Sequence, residues 1–313
     1  MGSPYYYHVR GWHNGRMNDV PYQEKLLIVS GKGGVGKTAL SCAIARVCST
    51  RAPTILVTLN GSQATHPHFG VVLSYEPQEV QPELWAADID SLSAVREYVR
   101  RKIPFSAFYD SFFTSRMFRD FAEAAPGFQE LMSLGKIYDL VTTSRYRHVV
   151  VDAPATGHLR TLLDVPAATL SAVQVGPLNH NARKINDMLL DPERTRIVLA
   201  TLAEDMAIRE ALELGDYCRE RRMNAGPVLV NQHVPQRFHA DELTALAGLD
   251  ATAGLEQGIQ AAIAEAELAA VQAEALTALK DLDTRLLPRC AAQEGEDLLS
   301  ALAAALAGRK AHG

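Results

Sequence analysis

Short apolar runs rich in β-branched residues alternate along this chain with longer segments whose apolar residues recur at helical spacing. The first run, 26–30, ends in a glycine cluster, and 38–49 then reads as a helix, giving strand, loop, helix. Further strands are predicted at 54–59, 84–89, 147–151, 196–201, 228–231 and 284–287. Helices are predicted at 91–102, 127–141, 204–222, 256–279 and 295–307. Strands that are apolar at nearly every position, separated by helices, imply an α/β fold: a mostly parallel, twisted sheet of about seven or eight strands with helices on both faces. Residues 24–313 read as a single domain with a helical segment at about 91–143.

Three stretches depart from this alternation. Phe105, Phe108, Phe112, Phe113, Phe118 and Phe121, with Tyr109 and Met117, exceed one stripe of a surface helix, so 105–121 is either a buried core helix or a partner surface. The core reading is preferred. Residues 256–279 are rich in Ala, Glu and Leu, so propensity alone makes them a long helix. Residues 1–23, with Tyr5 to Tyr7 and a second methionine at Met17, are expected to be an expression-derived or disordered extension.

Composition removes several function classes. The chain has 313 residues, 47% hydrophobic and 21% charged, so it can bury a substantial core. Its formal charge of −5 gives no bulk attraction to phosphate backbones, and no nucleic-acid partner is expected. The uncharged run 165–182 contains Pro166, Gly176 and Pro177, and no transmembrane segment is predicted. Cys42, Cys48, Cys218 and Cys290 form no C-x-x-C pair, which fits core filler in a reducing cytoplasm. No secretory signal is recognised, so a cytoplasmic location is expected.

Gly31-Lys32-Gly33-Gly34-Val35-Gly36-Lys37-Thr38 satisfies G-x-x-x-x-G-K-[ST] between a predicted strand and helix. The glycines let successive backbone N–H groups turn inward around phosphate oxygens, and the helix N-terminus that runs on into Ala39 adds its positive dipole end. Lys37 is expected to bridge β- and γ-phosphates, and Thr38 to be a Mg2+ ligand. Asp152 ends the apolar strand 147–151, where a carboxylate is placed to hold Mg2+ through water. The expected fold is therefore of the P-loop NTPase type, with ATP and Mg2+ as ligands.

Two motifs carry a family resemblance. GKGGVGKT resembles the deviant Walker A loop of the ParA, MinD and ArsA ATPases, and the resemblance implies that Lys32 reaches the nucleotide of a facing subunit. Asp152-Ala153-Pro154-Ala155-Thr156-Gly157-His158 is similar to the D-x-x-P-x-G-H switch II of the ArsA family, with Pro154 one position early. This implies that Pro154, Gly157 and His158 belong to a switch whose mobile loop starts at the Gly-His pair. Weaker blocks follow in order: Pro126 to Leu131, Leu162 to Pro166, Leu190 to Thr195 and Thr201 to Met206. Val230-Asn231-Gln232 resembles the segment whose asparagine reads adenine, and Pro288 is implied to pack near the ring.

The pattern also breaks. Asn60 stands where the resemblance places the switch I aspartate, and an amide cannot take a proton from the attacking water. Hydrolysis is expected to lose on the order of 10²-fold in that component, unless Asp88 or Asp90 supplies a carboxylate. No zinc staple and no arsenite site is evident. His66 and His68 are expected to face solvent, and Arg96, Arg100, Arg101 and Lys102 to be a solvated helix face. The leading expectation is an ArsA-like ATPase that switches within a nucleotide-sandwich dimer to control a client or partner. The dimer would be a homodimer or a heterodimer with a related ATPase that retains the carboxylate. The alternatives are a non-hydrolysing nucleotide-dependent scaffold, a MinD- or ParA-type positioning ATPase, and a carrier of tail-anchored proteins if the phenylalanine stretch is exposed.

Overall fold

A computed structural model describes residues 22–59, 66–102, 127–248, 253–290 and 295–308. The predicted extension before residue 22, Asn60 and the phenylalanine stretch 105–121 lie outside the described residues. The order of elements is β1 (Leu26–Gly31), α1 (Lys37–Ser49), β2 (Thr54–Thr58), β3 (Gln78–Gln81), β4 (Leu84–Asp88), α2 (Ser91–Lys102), α3 (Phe128–Thr142), β5 (His148–Asp152) and α4 (Thr156–Ala172). It continues with α5 (Pro177–Leu190), β6 (Thr195–Leu202), α6 (Asp205–Glu220), β7 (Ala225–His233), α7 (Ala240–Ala247), α8 (Ala253–Leu276), β8 (Thr284–Pro288) and α9 (Gly295–Leu306).

Eight strands form one sheet in the order β3-β4-β2-β5-β1-β6-β7-β8, and only β3 runs antiparallel to its neighbour. The parallel α/β sheet expected from the sequence is what forms. Strand β1 lies between β5 and β6, so the chain leaves the sheet toward opposite sides around it, and its C-terminal end opens a crevice.

Alternation within β1 divides the core. Leu26 and Ile28 pack on the face covered by α3, α4 and α5, while Leu27 and Val29 pack with Leu40 and Ile44 of α1 and Leu299 and Leu302 of α9. Both faces are buried, which is why the strands read as continuous apolar runs. Tyr22 is buried in the second of these cores although the sequence assigns it to the opening extension. Arg196 of β6 donates from Nε to Glu24 Oε1 at 2.8 Å, tying the start of β1 to its neighbour.

The sequence reading differs from the fold in three places. Strand β3 is short and polar, so its period is invisible. Helices α4, α5 and α7 were not anticipated, although Ala182, Ile185, Met188 and Leu189 give α5 a buried face at helical spacing. Gly157 and His158 do not start a loop: they sit in the first turn of α4, which continues through Pro166. An internal proline costs about 3 kcal/mol. Burial of Leu159, Leu162, Leu163 and Val165 outweighs it.

Among the described residues, no helix is long and apolar enough to cross a membrane.

Candidate functional site

The crevice beyond β1 is built by the loop 32–36. Gly31 is forced by the sheet: a Cβ there would lie 1.9 Å from the Ala200 carbonyl oxygen of β6. Gly36, at φ +86°, precedes α1, and no side chain caps that helix. The first amides of a 13-residue helix therefore face the crevice without a protein partner from a cap. A Cβ on Gly33, which is exposed, would meet no atom within 4 Å, so this position borders open space.

Asp152 closes the other wall. Its Oδ2 accepts Thr38 Oγ1 at 2.7 Å, and its Oδ1 accepts Ser41 Oγ at 3.2 Å. Burial pushes the Asp152 carboxyl above its ordinary value, while the Thr38 and Ser41 hydroxyls and Lys37 pull it back. Burial likewise lowers the Lys37 ammonium, against the attraction of Asp152 and Glu210. Lys37 Nζ donates to the Lys32 carbonyl at 3.1 Å and thus folds over the mouth of the loop. Ser41 lies one helical turn beyond Thr38, a spacing that could have revealed it in the sequence.

Lys32 is found on the far side of the loop. Its Nζ lies 3.9 Å from Glu210 Oε1 of α6, and Glu210 Oε2 accepts Thr156 Oγ1 at 3.0 Å. Nothing local in the sequence marks Glu210, because α6 brings it to the loop only in three dimensions. The switch segment is anchored by Ser30 Oγ, which donates to the Pro154 carbonyl at 2.8 Å, and by the Ala153 N–H, which donates to the Val29 carbonyl at 3.1 Å. Gly157 and His158 are exposed.

A cavity of about 570 Å³ joins the loop to the ends of β7 and β8, a size within the range of small-ligand sites. Gly34, Gly36, Lys37, Thr38 and Ala39 line it together with Asn231 and Pro288. His68, Arg289 and Cys290 also line it and were not assigned to a site from the sequence. Asn231 is buried, and its Nδ2 donates to the Val35 carbonyl at 3.0 Å. A second cavity, about 430 Å³, places Pro154 and His158 opposite Leu59, Asp90 and Glu130.

Other sequence expectations resolve here. His66 is buried rather than solvent-facing: it stacks on Phe69 at 4.8 Å, and its Nε2 lies 3.9 Å from Cys42 Sγ. Burial, with the neighbouring His68 imidazole, lowers it to about 4. Cys42, Cys48 and Cys218 are buried as expected, but Cys290 is partly exposed at the cavity. Asp90 accepts the Ser93 N–H at 2.8 Å and so caps α2, while Asp88 accepts Thr58 Oγ1 at 2.6 Å. Arg96 and Arg100 are exposed, and Arg101 bridges Glu97 and Asp139 between α2 and α3.

The donor set fits a magnesium-bound nucleotide. A buried carboxylate, two hydroxyls and an uncapped helix N-terminus are hard-oxygen and amide partners for a cation and phosphates. Among the described residues no three His, Cys, Asp or Glu side chains form a metal cage, so a cation here would complete its shell from phosphate and water.

A family model described as anion-transporting ATPase matches residues 24–178. The chain is 29% identical over 238 residues to ATPase BagA of Mycobacterium tuberculosis, covering 70% of this chain and 68% of that one. It is 25% identical over 244 residues to ATPase GET3 of Mycosarcoma maydis, covering 66% and 72%. The arsenical pump-driving ATPase of Acidiphilium multivorum is 25% identical over 232 residues, covering 67% of this chain and 40% of that protein. With the strand, loop and helix geometry described above, these matches support an ArsA-family P-loop ATPase.

Proposed function

We propose that the chain binds ATP with Mg2+ between the loop 31–38 and Asp152, and that the terminal phosphate sets the position of the segment from Asp152 to His158. The Thr38–Asp152 hydrogen bond supports this most directly, because one contact joins the phosphate loop to the start of the switch. On nucleotide binding, Lys37 would leave the Lys32 carbonyl for the β- and γ-phosphates, and Thr38 and Asp152 would turn from each other toward the cation. Mg2+ would supply neutralisation of charge on the phosphates. Gly33 and Gly34 would let their amides approach the phosphate oxygens, and Val35, buried beneath them, would keep the loop seated. Asn231 and Pro288 would form the base end of the cavity.

The cavity shared by Pro154, His158 and Glu130 supports transmission from the switch to α2 and α3. Lys32 would act in a nucleotide-sandwich dimer, homomeric or paired with a related ATPase, that controls a protein client. With Asn60 in place of a carboxylate, turnover by the chain alone would be slow. The arsenical role in the name of the Acidiphilium relative is not carried over, since Cys42, Cys48 and Cys218 are buried singly.

The experiment is ATP turnover and light scattering on the full chain, alone and mixed with a co-encoded relative, with Lys37→Ala as the binding control. Slow turnover alone, faster turnover with the relative and nucleotide-dependent dimers are expected. An unchanged ATP affinity in Lys37→Ala would falsify the phosphate assignment, and normal turnover by the chain alone removes the paired reading. A second reading, a scaffold with negligible catalysis, is motivated by Asn60. It predicts that Asn60→Asp raises turnover without changing ATP affinity.

A further inference from the structure

Helix α8 buries Ile259, Ala266, Ala269 and Gln272, and the last three share one face at i, i+3, i+6. A glutamine on such a stripe must find hydrogen-bond partners or destabilise the fold. Gln272 finds them at the end of β7, where the register against β8 shifts between Val230 and His233. Its Oε1 accepts the Val234 N–H at 2.8 Å, and its Nε2 donates to the Gln232 carbonyl at 3.3 Å. Between these contacts Gln232 adopts φ +55°, a conformation that non-glycine residues enter at a cost. The amide of Gln272 therefore spans this strained strand end on both its sides.

The residue before Gln232 is Asn231. Its Nδ2 faces the Val35 carbonyl, which can only accept, so the amide cannot flip without setting oxygen against oxygen. The contact is close: a Cβ on Gly36 would lie 2.5 Å from Nδ2. One N–H of Asn231 is committed to the loop, and its oxygen keeps a defined direction relative to the cavity that Asn231 and Gln232 line. An oriented amide distinguishes ring edges. Adenine offers a donor where guanine offers an acceptor, so an amide that cannot flip favours one of them.

We propose that Gln272, though it lines no part of the cavity, is a positioning residue for base selection: it pins the irregular end of β7 so that the Asn231 amide keeps one orientation between the phosphate loop and the base. This deepens the proposed function and rests on Asn231 facing the base.

The test is calorimetric titration of the full chain with ATP, GTP and tripolyphosphate, each with Mg2+. Wild type is expected to bind ATP more tightly than GTP. Gln272→Leu is expected to weaken ATP by about tenfold, with GTP and tripolyphosphate changed less than about twofold, so the preference for adenine collapses. Gln272→Glu keeps the oxygen that accepts Val234 but opposes the Gln232 carbonyl with another oxygen, and falls between the two. It also carries the test if the leucine variant does not fold. Adding Gln272→Leu to Asn231→Ala should cost nothing further, because both act through one amide. An unchanged ATP-to-GTP ratio in both Gln272 variants overturns the inference, and so does an equal loss for all three ligands, which marks a merely structural role. If wild type binds ATP and GTP alike, the base reading of Asn231 fails before any variant is made, and the inference falls with it.

Discussion

Lys32 Nζ lies 3.9 Å from Glu210 Oε1, and the same carboxylate accepts the Thr156 hydroxyl at 3.0 Å. One side chain of α6 thus touches the phosphate loop and the first residue of the switch helix. The pair is about one-third exposed, so its value is in geometry and charge rather than in stability. Glu210 also places a negative charge beside the site where a triphosphate would sit, close enough to act on Lys37. Glu210→Gln should therefore tighten ATP binding by about threefold at low salt, with the gain shrinking at high salt as the charge is screened. Titration at two ionic strengths checks this, and a weaker affinity in the variant contradicts it.

Asp152→Asn keeps the shape of the carboxyl but loses its charge. ATP binding should lose its dependence on Mg2+, and turnover should fall on the order of 10²-fold or more. Thr38→Ala should act in the same direction, since its hydroxyl meets the same carboxylate. The measurement is a fluorescent-nucleotide titration with and without chelator. A persistent Mg2+ effect in Asp152→Asn would remove the aspartate from the cation site.

Two glycines of the loop separate folding from binding. At Gly36 a Cβ would strike Asn231 at φ +86°, so Gly36→Ala should cost about 1–2 kcal/mol of stability as well as ATP affinity. At Gly33 a Cβ meets no protein atom, so Gly33→Ala should leave the melting temperature unchanged, and under the phosphate role proposed for this glycine it should still weaken ATP by about tenfold. Thermal melts paired with titrations decide it; equal stability losses at both positions would contradict the geometry.

His66 predicts an acid dependence. Burial takes its imidazole from 6.5 to about 4, so between those values the unfolded chain binds a proton that the folded chain does not. Stability should therefore fall as pH drops from about 6.5 toward 4. Buried His148, also lowered by burial, adds a slope of the same sign. His66→Gln should flatten the curve in that window without abolishing it. Denaturant melts at a series of pH values test this, and a variant with the wild-type slope would remove His66 as a source.

The parallel sheet, the loop 31–38 and the carboxylate at Asp152 were legible in the chain because each depends on near neighbours. A run of apolar residues, a row of glycines and a strand ending in an acid carry their meaning within about ten positions. Asn231 and Pro288 were named only by resemblance, and the fold brings both to the cavity that Lys37 lines.

What the chain alone could not express depends on partners far apart in sequence. Strand β3 is polar, and only pairing with β4 makes it a strand. Pro166 argues locally against α4, yet the buried face of that helix overrides it. His66 looks like a solvent-facing residue beside a proline until Phe69 and Cys42 enclose it. Glu210 and Gln272 lie within helices without any motif, and packing alone puts one against Lys32 and the other against the irregular end of β7. Local order sets which elements form and where phosphate chemistry can begin. Long-range burial decides which side chains surround it, because a contact across 178 or 40 positions leaves no period in the sequence.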